Sequence, residues 1–162
     1  MKKFSISLFF ASTVILVSAQ TDSLTKTKFV FGLSAPELLH IGVGFDVTRF
    51  NQLGVSAGIG PTWGGVWPSL NAEHRLYFGP ISEFTHRRKW FFRQGLSYFT
   101  SNGDLSGTLT IGVDLTSRRR NKGWTIDAGF LHLFKDRNDG YVTNFPALRF
   151  QYYSYFKKGK KE

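Results

Sequence analysis

Along residues 39–48, Leu39, Ile41, Val43, Phe45 and Val47 alternate with His40, Gly42, Gly44, Asp46 and Thr48. A period of two predicts a β-strand with one apolar and one polar face. Seven further segments keep the rhythm. Phe29, Phe31 and Leu33 mark the apolar side of 28–34, and Leu53, Val55, Ala57 and Ile59 that of 53–60. Leu70, Ala72, Leu76 and Phe78 do so in 70–78, and Trp90, Phe92, Leu96 and Tyr98 in 90–100. The last three are 107–116 (Leu109, Ile111, Val113, Leu115), 124–134 (Trp124, Ile126, Ala128, Phe130) and 145–156 (Leu148, Phe150, Tyr152, Phe156). Turns are expected at 35–37, 49–52, 61–69, 79–89, 101–104, 117–123 and 135–144. Segment lengths lie near the roughly 9–11 residues that a tilted membrane strand takes. No long helical period competes. The pattern predicts an all-β chain, an eight-stranded antiparallel up-and-down transmembrane β-barrel.

The polar faces say which side is inside. Gly42, Gly44, Gly54, Gly58, Gly95, Gly112 and Gly129 sit there among Ser, Thr and Asp, small groups suited to a narrow lumen. No lysine occurs between Lys28 and Lys89, where a water-facing sheet would use several. Aromatic residues gather at the strand ends: Phe29, Phe78, Trp90, Trp124 and Phe156 at one, and Trp63, Trp67, Tyr98, Phe134, Tyr141 and Phe145 at the other. Two such belts are what lipid interfaces select. The apolar face carries no Asp, Glu, Lys or Arg, and His74, Gln94 and Ser154 are its polar exceptions. A soluble periplasmic lipocalin-like carrier shares the alternation and stands as an alternative.

Composition narrows the setting. With 162 residues and no cysteine, the chain forms one domain without disulfides or thiolate metal sites. Residues 1–19 read as a cleavable signal peptide, with Lys2 and Lys3, an apolar run from Phe4 to Val17 and small residues at Ser18 and Ala19. That apolar run is too short for a membrane helix, which needs roughly 20 residues. A short periplasmic leader (20–27), the barrel (28–156) and a basic tail (157–162) would follow. The expected address is the outer membrane of a Gram-negative bacterium.

The net charge of +10 is unevenly placed. An even strand number brings both ends of the barrel to one rim, expected to be periplasmic. Arg87, Arg88, Lys89, Arg118, Arg119, Arg120, Lys122, Lys157 and Lys158 would gather there, together with Lys26, Lys28 and Arg49. Glu37, Asp104, Lys135, Asp136, Arg137 and Asp139 fall to the other rim. Such a basic rim fits phospholipid headgroups of the outer membrane, or a periplasmic protein or anionic polymer. The remaining charges point inward: Asp46, Glu73, Arg75, Arg93, Asp114, Asp127 and Arg149. Unpaired they would be costly in a narrow lumen, so an ion lattice that plugs the barrel is expected.

Other motifs carry little. The Gly-x-Gly at 42–44 and at 58–60 lies inside strands rather than at a strand-to-helix turn, which leaves it almost no value as a nucleotide signature. His40, His74, His86 and His132 lack metal spacing, and no cofactor is expected. The arginine run 118–120 resembles a nucleic-acid patch, but export removes the chain from nucleic acid.

Eight amphipathic strands behind a signal peptide, ending in Phe-Gln-Tyr-Tyr-Ser-Tyr-Phe (150–156), resemble the small outer-membrane barrels of the OmpX and OmpA-barrel type. The resemblance implies a non-enzymatic structural or partner-binding role, with Tyr152 and Phe156 read by the barrel-assembly machinery. Short outward loops argue against an adhesin. The alternative enzyme class is similar to lipid A deacylases, in which a His is followed two residues later by a Ser. Here His132 is followed at that position by Phe134, so the nucleophile is missing.

Overall fold

A strand with one apolar and one polar face must direct the two faces to different surroundings, and closing the sheet removes its unpaired edges. The computed structural model describes residues 26–34, 37–62, 65–81, 88–100, 103–116, 121–134 and 144–156. The eight strands are β1 (Lys26–Ser34), β2 (Leu39–Asp46), β3 (Asn51–Thr62), β4 (Gly65–Ile81), β5 (Arg88–Phe99), β6 (Asp104–Thr116), β7 (Lys122–Phe134) and β8 (Asn144–Tyr155). Each pairs antiparallel with its neighbour in sequence, and β8 returns to β1 with Phe31 opposite Tyr152, closing an up-and-down barrel.

The number, order and faces of the strands follow the alternation, while several boundaries differ from it. β1 begins at Lys26, inside the segment read as a leader. β3 and β4 run on to a tight hairpin in which Thr62 pairs with Gly65, so residues expected in a long 61–69 loop are paired instead. β2 stops at Asp46, two residues early. The Val47 and Thr48 amides both donate to the Asn51 carbonyl, and Thr48 Oγ1 accepts from the Phe50 and Asn51 amides, a hydroxyl-stabilised turn. β4 overruns its expected end through an irregularity between Phe78 and Ile81, where Gly79 adopts φ 81°. Only glycine takes that conformation without strain, and the extra residues re-aim the end of the strand.

The segment read as a signal peptide lies outside the described residues. So do Trp63, His86, Arg87, Arg118, Arg119, Arg120, Lys135, Asp136, Arg137, Asp139, Tyr141, Lys157 and Lys158.

Most apolar side chains face outward and most polar ones inward. Ile41, Val55, Leu70, Leu109, Ile111 and Leu148 are exposed on the outside. Arg75, Arg93, Asp127, Arg149 and Gln151 are buried inside, along with Tyr77, Phe91, Phe99, Leu131 and Tyr153. Glycine is needed where strands crowd: a Cβ on Gly42 would stand 2.2 Å from the Val55 carbonyl oxygen, and one on Gly129 2.1 Å from that of Leu109. The core of this barrel is therefore a filled, mainly polar lumen.

Candidate functional site

The middle of the lumen is organised by Glu73 on β4. Arg75 lies two residues along the same strand, so it shares the inward face, and its Nη2 stands 2.8 Å from Glu73 Oε1. Arg149 crosses from β8 on the far side of the lumen and donates to Glu73 Oε2. Arg93, opposite Arg75 in the β4–β5 register, comes within 4.0 Å of the same oxygen. Its main partner is Asp127 on β7, whose Oδ1 accepts from Arg93 Nε at 3.0 Å and Nη2 at 2.9 Å. Three guanidiniums and two carboxylates thus tie β4, β5, β7 and β8 together through the centre. All five side chains are almost fully buried, where each contact is stronger than in water and each lost partner more expensive.

Neutral groups extend the network. Arg149 Nε donates to His40 Nε2 at 3.1 Å, and an arginine can only donate, so that imidazole nitrogen is the acceptor. The proton of a neutral ring then sits on Nδ1, 3.3 Å from Ser34 Oγ, which itself donates to the Glu37 carbonyl at 2.9 Å. Gln151 Nε2 lies 3.1 Å from the same His40 nitrogen, and its Oε1 accepts from Arg75 Nη2. Arg75 also stacks over Phe91, with its guanidinium 5.1 Å from the ring centre. Arg75 Nε and Nη1, Arg149 Nη2 and Asp127 Oδ2 are buried with no hydrogen-bond partner among the described residues.

Each end of the lumen holds a further charge that the sequence reading assigned to a rim. Lys28, grouped there with the basic rim, points inward and is 1% exposed. Its ammonium lies 4.3 Å from the Tyr153 ring centre, and its stem runs along Gly44, where the missing side chain leaves it room. Asp46, Gln52, Asp114 and Tyr153 complete that end. Asp46 Oδ1 accepts from Gln52 Nε2 at 2.6 Å, and Asp114 Oδ1 accepts from the Tyr153 hydroxyl at 2.7 Å and from Thr116 Oγ1 at 2.9 Å. At the other end Glu37, expected on the opposite rim, is 2% exposed. The β1–β2 connection folds its carboxylate over the lumen, with Oε1 3.3 Å from Asn71 Nδ2 and 3.4 Å from Ser69 Oγ and from Ser97 Oγ. The described interior therefore carries Lys28, Arg75, Arg93 and Arg149 against Glu37, Asp46, Glu73, Asp114 and Asp127.

Outside the lumen, the rim at which β1 begins and β8 ends also receives the β4–β5 and β6–β7 connections. Among its described basic residues, Arg88 Nη1 donates to the Gly79 carbonyl at 2.7 Å and its guanidinium lies 5.1 Å from the Phe50 ring centre. Lys89 and Lys122 are exposed at the starts of β5 and β7. Tyr152 faces outward with its ring edge-on to Trp124 at 5.0 Å, and Phe156 is exposed just beyond β8. His132 also faces outward at the opposite rim, with Nδ1 2.8 Å from Asn144 Oδ1. Among the described residues no group of His, Asp and Glu is placed to hold a metal ion.

No family model, curated protein or solved structure gives a significant match to this chain. The class that the geometry defines is an eight-stranded, closed, up-and-down antiparallel barrel with a packed polar interior.

Proposed function

We propose that this chain is a non-enzymatic outer-membrane barrel of the OmpX or OmpA-barrel type, exported by its leader from a Gram-negative cytoplasm, with a structural or partner-binding role in the envelope. The observation that carries this reading is the inversion of the wall. Phe31, Ile41, Val55, Leu70, Leu109, Phe130 and Leu148 point out of the barrel while the ionised groups face in. Burying such a side chain is worth about 1.5–3 kcal/mol, and a hydrocarbon surrounding supplies that burial over the whole wall. The aromatic residues support the same orientation, since Trp90 and Trp124 are exposed toward one rim and Trp67, Tyr98 and Phe134 toward the other.

On this reading outer-membrane lipids surround the wall, and the barrel-assembly machinery reads Tyr152 and Phe156. The basic rim meets phospholipid phosphates, and a periplasmic protein or anionic polymer is the more specific partner that such charge fits. The filled lumen makes the barrel a plug rather than a pore. Fractionation together with gel mobility tests the reading. The protein should pellet with outer membranes and migrate differently before and after boiling. Recovery in the soluble periplasm with equal mobility would favour the lipocalin-like carrier instead, and loss of a lipid A acyl chain in expressing cells would favour the deacylase-like enzyme.

A further inference from the structure

On the outer wall, one stretch departs from the apolar rule. His74 on β4 and Gln94 on β5 are directly opposite one another in the register, both on the outward face near mid-height, and Asn51 lies diagonally below on β3. His74 and Asn51 satisfy each other, with His74 Nε2 3.0 Å from Asn51 Oδ1, while Asn51 Nδ2 donates to Thr48 Oγ1 at 3.1 Å. Gln94 is half-buried and has no side-chain hydrogen bond among the described residues. Beside it the wall is hollowed. Ile41, Val55, Ala57, Leu70, Ala72 and Leu96 line an open depression of about 580 Å³, in which Ala57 and Ala72 leave room that larger side chains would fill. The wall across the barrel carries Trp124, Phe130, Leu148, Phe150 and Phe31, with Ala128 as its small residue opposite Leu148.

A primary amide facing hydrocarbon without a partner is costly, and in membranes polar side chains and small residues mark the surfaces through which proteins associate. From these two features together we propose that the β3–β5 wall is the interface of a homodimer in the membrane, with the Gln94 amides of the two copies paired across a two-fold axis parallel to the barrel. The occupant is a second copy because the amide is self-complementary. One carboxamide offers a donor and an acceptor, and a two-fold axis along the barrel brings residues of equal height together, so that each Gln94 donates to and accepts from its counterpart. The small residues beside it let the two walls approach. This inference rests on the membrane reading above.

The chain has no cysteine, which makes the test direct. Gln94→Cys and Leu96→Cys variants, oxidised in native outer membranes, should give disulfide-linked dimers, and Leu148→Cys on the opposite wall should not. Leu96→Cys keeps the test available if the change at 94 impairs assembly. In parallel, Gln94→Leu should weaken dimerisation of the refolded protein in lipid vesicles roughly tenfold, measured by energy transfer between labelled copies. A heat-modifiable barrel in the membrane that links at neither 94 nor 96, or links equally at 148, overturns the dimer and leaves the membrane reading intact. Recovery of the barrel in the soluble fraction overturns both.

Discussion

Neutralising Glu73 should cost this barrel more than any other single isosteric change in its lumen. Glu73 takes Arg75 at 2.8 Å and Arg149 in direct contact, with Arg93 at 4.0 Å. At an effective dielectric constant of about 20, a unit-charge contact at about 4 Å is worth about 4 kcal/mol before desolvation. Desolvation of the ions and repulsion among three guanidiniums offset most of that sum while Glu73 is present. Once its charge is removed the repulsion stays, and breaking a buried pair by removing one partner typically costs about 3–5 kcal/mol. Glu73→Gln keeps the size and one acceptor oxygen, so the loss reports on charge rather than on a cavity. The measurement is urea unfolding of the barrel refolded into lipid vesicles, followed by the fluorescence of its four tryptophans and by gel mobility. A cycle with Arg149→Gln separates the lattice from general damage. Because the second change removes one of the stranded cations, the double variant should be less destabilised than the sum of the singles, by about 0.5–3 kcal/mol. A Glu73→Gln barrel within about 0.5 kcal/mol of the parent, or strict additivity in the cycle, would refute the lattice as a cooperative unit.

Two glycines should respond in opposite ways to the same methyl group. Gly129→Ala, whose Cβ would meet the Leu109 carbonyl at 2.1 Å, should lose about 1–3 kcal/mol or fail to close, whereas Gly44→Ala, meeting the Lys28 stem at 3.1 Å and the Gln52 side chain at 3.8 Å but no backbone, should lose under about 1 kcal/mol; reversed order in urea midpoints would contradict the crowding argument. His74→Leu alone strands Asn51 Oδ1 and should cost about 1–3 kcal/mol, while adding Asn51→Leu should recover part of it, as read from the same unfolding curves. In planar bilayers the refolded protein should show no porin-like conductance, and steady channels at that level would contradict a plugged lumen. Replacing Arg118, Arg119 and Arg120 by serine should leave assembly unchanged while reducing recovery of any anionic partner; unchanged recovery would restrict the basic rim to lipid headgroups.

Inside and outside were legible in the sequence because alternation is a local property. Once Ile41 and Val43 are assigned to one face, His40, Gly42 and Asp46 must occupy the other, and the same phase carries Glu73, Arg75, Arg93, Asp127 and Arg149 inward. Which of those charges touch is not local. Glu73 and Arg149 meet across the lumen from β4 and β8, and their common height depends on the stagger of every intervening strand pair, which no single segment encodes. The ends were misread for a related reason. Lys28 has the parity of Val30 and so faces inward, but its place at the expected start of a strand suggested a rim, when the strand in fact begins at Lys26. Glu37 sits in a connection, where alternation predicts nothing, and its inward turn depends on donors from β4 and β5 that are distant in sequence. Parity along a strand thus decides the solvent of each side chain, and closure of the sheet decides its partner. Glu73–Arg149 and His40–Arg149, which bring β4 and β2 to β8, therefore depend on the closed sheet, whereas Glu73–Arg75 and Asp46–Gln52 join residues of one strand or of neighbouring strands.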